Sequence, residues 1–387
     1  MVPTIPYELH PGILEHIPPS PQTIAHASVV CKAWRRIVDA PGFLHRCHAR
    51  HVVPVVMGFF HNSNTLPRPF VQINDTTSLS FRFPNDGNYS WTFMDCRHGR
   101  VLLRNGRWFL VWHPMTGHYR LINAESSRWE EYTEKNSNAA LLCVVDDNDG
   151  HQVCCQQPTS PFRVALVHND SQGRVHAGVY SSLTGQWSLP PTPVDLPLLC
   201  DIRVEPCVII FNTMYQPLND YHVLAYDMDK STLTVFERPN GGNARLMKVD
   251  GGGRLGLASV EDLTLRMWAR GAYNGWVLRT SVDLGEAIAC LSKVTLPKVD
   301  SSFLMMPRVK IIGSTEEGDA LFLWTMVGIF ILCPKTMEFK KVHEAVKDME
   351  IVYPYTAFPT AASWRTVARN HTCSSEREVP CDALRIQ

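Results

Sequence analysis

Cys31 sits in the run SVVCKAWRRIV, Ser28 to Val38, with Lys32, Arg35 and Arg36 close behind it. A thiol beside cations is a candidate nucleophile, because positive charge lowers its pKa and the thiolate is the reactive form. That chemistry needs a second member, a base in contact with the sulfur, and no His–acid pattern surrounds Cys31. The other reading is a small packed residue in a docking or core helix. On a continuous helix Val30 and Trp34, one turn apart, share a face, and the three cations keep the exposed side soluble.

Other constellations are weaker. Gly251 to Gly256 (GGGRLG) matches G-x-G-x-x-G, but the dinucleotide fingerprint needs a following helix, and LASVEDLTLRMW reads as strand, turn, strand. A hairpin turn is the better account. His45, Cys47, His48 and His51 are zinc-ligand types, yet no second ligand pair lies at finger spacing. His371, Cys373 and Cys381 form a looser group, and adjacent Cys154 and Cys155 are poorly placed to bridge each other. The carboxylate pairs Asp146-Asp147 and Glu316-Glu317 fall at turns, where solvation explains them. No catalytic, cofactor or metal residue is assigned.

The chain has 387 residues, 45% apolar and 19% charged, ordinary values for a globular protein. Lys+Arg and Asp+Glu are both 37, which lacks the basic footprint of a nucleic-acid binder. No apolar run approaches the roughly 18 residues of a membrane helix. The opening MVPTIPYELHPG does not read as a secretory signal. A reducing compartment, cytosol or nucleus, is therefore expected, with most of the 12 cysteines as buried thiols.

Two textures divide the chain. Residues 1–50 carry helical apolar spacing at Ile13, Leu14 and Ile17, then at Ala27, Val30, Trp34, Ile37 and Val38. Pro18, Pro19 and Pro21 break a first helix from a second, Pro41-Gly42 ends the second, and Phe43 opens a third. From Val52 the period shortens to two, with short β-rich runs between turn residues; no long helical pattern interrupts them before EFKKVHEAVKDME. Four segments align: Leu110–Ile122, Gly178–Pro190, Leu224–Phe236 and Ile331–His343. Each is a strand, a six-residue polar connection and a second strand, the first strands ending at Trp112, Tyr180, Tyr226 and Leu332, at intervals of 68, 46 and 106 residues. With an insertion after Ile122, these fit one, one and two units of the length of a four-stranded propeller blade. The expected architecture is α + β multidomain: a three-helix module at 1–50, an all-β propeller at 51–360 of about six blades with seven as the alternative, and an extension at 361–387.

The helical module resembles an F-box. Ile5-Pro6, Glu8-Leu9, Ile13-Leu14, Ile17-Pro18 and Val30-Cys31-Lys32-x-Trp34-Arg35 follow that pattern. PGFLHRCHARH is similar to the continuation in grass F-box proteins, and DCRHGRVLL, VWHPMTG and GVYSSLTGQWS resemble the propeller-like region of that plant family. Ile5 for leucine is a mild departure; Pro11-Gly12 would weaken a helix interior, and His10 stands at an often apolar position. The resemblance implies a non-enzymatic substrate receptor of an SCF-type cullin–RING ubiquitin ligase. The F-box would dock on a Skp-family adaptor, and through it on cullin, while the propeller holds a target protein; neither nucleic acid nor membrane is an expected partner. Pro6, Leu9, Ile13, Leu14, Ile17, Pro18, Val30 and Trp34 are the expected adaptor-facing residues, some of which must instead close the module's core. The alternatives are a catalytic propeller (sugar hydrolase or oxidase) and a scaffold whose F-box has decayed.

Overall fold

The computed structural model describes residues 6–17, 21–40, 43, 55–64, 66, 69–73, 81, 91–124, 136–144, 159–188, 191–219, 221–239, 243–251, 253–271, 275–285 and 309–357. Outside them lie Pro18, the His45–His51 group, most of the third predicted helix, Asp146-Asp147, Cys154-Cys155, most of the insertion after Ile122, and the 361–387 extension with its His/Cys group.

Prolines set the helix boundaries. A 3-10 turn at Tyr7–Leu9 leads into α1, His10–His16. Pro11 falls in its first turn, where the missing N–H costs nothing, so Pro11-Gly12 does not interrupt a helix interior as expected. Ile17 is extended, ψ 133°, because it precedes Pro18. The second predicted helix is in fact two, α2 (Pro21–Val30) and α3 (Lys32–Asp39). Cys31 between them is extended, φ −161° and ψ 166°, and caps α3, its sulfur accepting the Trp34 N–H at 3.5 Å. Val30 and Trp34 therefore belong to different helices and do not share a face. Nor is Arg35 a free solubilising cation, since its Nε donates to the Ser28 carbonyl at the end of α2. Cys31 is disulfide-bonded, whereas Cys96, Cys143, Cys200, Cys207 and Cys333 are free thiols.

The β region forms six antiparallel sheets. Blade 1 pairs β1 (Val55–His61) and β2 (Phe70–Gln72) with the last strand, β24 (Val352–Ala357). Blade 2 is β3 (Thr92–Arg97), β4 (Arg100–Asn105), β5 (Trp108–Trp112) and β6 (Tyr119–Asn123). Blade 3 is β7 (Ser137–Cys143), β8 (Phe162–Asn169) and β9 (Arg174–Ser181), edged by the short β10 (Gln186–Trp187) and β11 (Val194–Asp195). Blade 4 is β12 (Val208–Ile210), β13 (Thr213–Pro217), β14 (His222–Asp227) and β15 (Thr232–Glu237). Blade 5 is β16 (Asn243–Val249), β17 (Arg254–Glu261), β18 (Thr264–Arg270) and β19 (Trp276–Asp283). Blade 6 is β20 (Val309–Ser314), β21 (Leu321–Thr325), β22 (Gly328–Leu332) and β23 (Phe339–His343). EFKKVHEAVKDME thus opens with β23 and continues without helix.

Six apolar cores close the ring, one between each pair of neighbours. Phe60 and Tyr355 meet Phe93 and Trp112 between blades 1 and 2. Met94 and Phe109 meet Val164 and Leu166 next, then Ala177 meets Leu224 and Tyr226, and Val208 meets Leu246 and Leu257. Val260 and Met267 meet Ile311 and Phe330 between blades 5 and 6. Phe322 and Ile329 return to Phe59 and Val71 of blade 1. The middle strands β4 and β21 and the axial strand β7 are buried almost throughout, whereas outer strands such as β6 and β19 open toward solvent. The ring shuts by antiparallel pairing of β1 with β24, from Val55↔Ala357 to His61↔Val352. The end of the ring holding Val55 and Ala357 also carries the first-to-second and third-to-fourth strand turns of blades 2, 4, 5 and 6; we call it the proximal face.

Candidate functional site

The helical module has a small core of Leu14, Ala27, Ile37, Val38 and Phe43, with Ile17 and Trp34 packed partly against it. Leu14 is 3% exposed, so within the expected set it is one of those that close the core. Ile17 and Trp34 serve the core in part, Val30 is half-buried, and Pro6, Leu9 and Ile13 face solvent. Sequence reasoning missed Tyr7 and Val29, 55% and 46% exposed, which join Leu9 at 57%. The one usable signal was their adjacency to Pro6 and Val30. Tyr7, Leu9 and Val29 give the module an apolar surface among its described residues.

The second constellation lies on the propeller axis. The first strands of successive blades touch, β24 with β3, β3 with β7, β12 with β16, β16 with β20 and β20 with β24. Asp95, Arg97, Cys207, Lys248, Glu316 and Tyr353 from these strands and their ends line a cavity of about 30 Å³. Asp95 accepts from Arg97 Nε at 2.7 Å and from the Leu141 N–H at 2.8 Å, and Arg97 also donates to the Cys207 carbonyl. Burial pushes the Asp95 carboxyl above its ordinary value against the pull of Arg97. On Arg97, burial alone would weaken proton binding, but Asp95, Cys207 and Glu316 reverse that and keep it charged. Burial pushes the Cys207 thiol up to about 12, so it is no nucleophile. Glu316, assigned to solvent from sequence, has a side chain only 10% exposed and contacts His98 Nε2 at 2.9 Å. Burial would raise its carboxyl, but His98, Arg97 and Lys248 hold it well below the usual range. Its neighbour Glu317 pairs with Lys248 at 3.2 Å.

A third cluster lies on the opposite face. In the β8–β9 turn Asp170 accepts from His176, Arg174 and two backbone N–H groups, all within 3.0 Å. The His168 ring stacks on His176 at 5.1 Å. Burial, with His176 beside it, lowers His168 to about 4. The unfolded chain binds this proton near pH 6.5 and the folded chain does not, so stability falls as pH drops from about 6.5 towards 4. The loss over that window is about 3 kcal/mol. His168→Gln should flatten this acid limb in thermal unfolding between pH 7.5 and 4.5; a curve parallel to wild type would contradict the assignment.

The family described as F-box protein AT5G49610-like, beta-propeller, matches residues 92–365, from the first strand of blade 2 through the ring closure. No curated protein matches the chain. Among solved structures, the extracellular domain of BT4673 from B. thetaiotaomicron is similar with a TM-score of 0.35 and 13% identity, over 68% of this chain and 29% of that one. The chain thus spans less than a third of that protein's length. A chain of the Mitotic Checkpoint Complex gives 0.35 and 10% identity over 70% and 75% of the two chains. Kluyveromyces lactis Hsv2 gives 0.35 and 8% over 65% and 62%. Likeness at this level says nothing of what the chain binds.

Proposed function

We propose, from the premise that the chain belongs to the AT5G49610-like F-box β-propeller family, that it is the substrate receptor of an SCF-type cullin–RING ubiquitin ligase. Residues 1–50 are the F-box, docking on a Skp-family adaptor; residues 51–360 are the propeller that holds a target protein; 361–387 is an extension. The chain itself carries out no chemistry. Holding the target beside the transfer machinery makes ubiquitin transfer by other subunits effectively intramolecular. Such a complex works in the cytoplasm or nucleus. Among the described residues no helix is long and apolar enough to cross a membrane.

The observation that carries the docking is the exposed apolar set Pro6, Tyr7, Leu9, Ile13 and Val29, standing outside the core of Leu14, Ala27, Ile37, Val38 and Phe43 among the described residues. The rival reading, a catalytic propeller, draws on Asp95 and Glu316, two carboxylates at the axis with oppositely shifted affinities. A cavity of about 30 Å³ is an order of magnitude below the roughly 300–1,000 Å³ of small-molecule sites, and both carboxylates are already paired. The reading of a decayed F-box loses its basis where Pro11 occupies the first turn of α1. The full chain mixed with a Skp-family adaptor should elute as a 1:1 complex in gel filtration. Separate elution at tens of micromolar would overturn the proposal.

A further inference from the structure

Between blades 5 and 6, on the proximal face, lies a groove of about 630 Å³, within the size range of ligand-binding sites. Its apolar floor comes from Met247, Val249 and Met267, which belong to the core between these blades. Three turns wall it: the β16–β17 turn, the β20–β21 turn, and the β22–β23 turn with Lys335. Arg279 reaches the rim from β19. The wall nearest the axis is fixed, because Gly318, φ +71°, packs on the Lys248 backbone so closely that a Cβ would fall 2.0 Å from its carbonyl oxygen.

The charges decide what fits. Two of the three lining carboxylates are ion-paired, Asp250 with Arg254 at 3.3 Å and Glu317 with Lys248 at 3.2 Å; Asp319 accepts from the neutral Thr315 hydroxyl at 2.5 Å and keeps its charge, against the two cations Arg279 and Lys335. The side chains of Arg279 and Lys335, both exposed, form no ion pair or hydrogen bond among the described residues. An apolar floor beneath two unengaged cations is complementary to an apolar side chain flanked by carboxylates. We infer that this groove binds an acidic peptide segment of the target protein. A leucine or phenylalanine side chain rests on the methionine floor, where the flexible thioethers adapt to its shape, and neighbouring Asp or Glu residues pair with Arg279 and Lys335. The inference rests on the reading of the propeller as the target-holding part. A segment bound there lies on the same face as Val55, where the chain arrives from the helices.

The test uses the full chain and a library of decapeptides with Leu or Phe fixed at the centre. Their flanks are randomised either among Asp, Glu, Ser and Gly or among Lys, Arg, Ser and Gly. Retained peptides should be acidic by about tenfold over basic, as two partly exposed ion pairs would give. A retained acidic peptide should lose binding by about the same factor in Arg279→Glu/Lys335→Glu, and also when its central residue is replaced by Gly. Both substitutions are at exposed positions, and an unchanged thermal midpoint confirms folding. The inference is overturned by equal or basic enrichment, by no retention, or by undiminished binding to the double variant. Concentration-dependent self-association suppressed by the double variant would equally overturn it, assigning the groove to a second copy of the chain. Adaptor co-elution measured on the same samples separates the two failures: intact co-elution without acidic preference sinks only the groove, and lost co-elution sinks the receptor reading.

Discussion

Leu9→Asp combined with Ile13→Asp should abolish adaptor binding while leaving the helical module folded. Both side chains face solvent in the free chain, so neither substitution opens a cavity. Covering each at an interface stabilises the complex by about 1.5–3 kcal/mol, and an aspartate there adds an unpaired buried charge. The expected loss is about 4 kcal/mol or more, roughly a thousandfold in Kd. The far-ultraviolet circular dichroism and thermal midpoint should not move. Leu14→Asp is the instructive contrast. It too should lose the adaptor, but through unfolding, because Leu14 is the most central side chain contributed by α1 to a five-residue core. A double variant that still binds within tenfold of wild type would remove Leu9 and Ile13 from the docking face.

Arg97→Ala should destabilise the propeller by about 3–5 kcal/mol, the usual cost of stranding one partner of a buried ion pair. That corresponds to roughly 10 °C in the thermal midpoint of a domain this large. Asp95 would keep the Leu141 and Cys96 N–H groups but lose the only cation bonded to it among the described residues. The deficit has a pH signature with a definite sign. Burial already raises the Asp95 carboxyl, and without Arg97 it rises further, so the folded variant takes up a proton that the unfolded chain releases. Stability relative to wild type then improves as pH falls, and the deficit is largest at and above neutrality. Asp95→Asn with Arg97→Met should recover most of the loss, since a buried pair replaced on both sides is often nearly neutral. If Arg97→Ala costs under 1 kcal/mol at pH 8, the axial pair is not the fastener described.

Much of the ring was legible because a propeller repeats its hairpins locally. The aligned segments at Leu110, Gly178, Leu224 and Ile331 are the third-to-fourth strand hairpins of blades 2, 3, 4 and 6. The missing fifth, β18–β19, lacks the six-residue polar connection and ladders instead through a bulge after Met267. GGGRLG runs from the β16–β17 turn, where Asp250 and Gly251 are both at positive φ, into β17. The axial cluster was not legible. Asp95, Cys207, Glu316 and Tyr353 are brought together only when six blades close, so no local spacing marks them. Glu316 looked solvated because it follows a strand at a turn, and ring closure places that turn over the axis. The break at Cys31 was equally hidden. Every residue from Ser28 to Val38 tolerates a helix, and a sulfur that caps one leaves no signature in the pattern. Val29, absent from the expected docking set, lies in α2 on the side away from buried Ala27 and Ser28 and is 46% exposed. Leu14 and Ile13 are neighbours of the same chemical type, and only the packing of α1 on α3 decides which one is core.

Hydrogen exchange of the full chain with and without a saturating Skp-family adaptor tests the central claim most directly. Slowed exchange should appear in residues 6–17 and 26–30, with the six blades unchanged. Protection in the blades without protection of these helices, or no change anywhere at saturation, would contradict it.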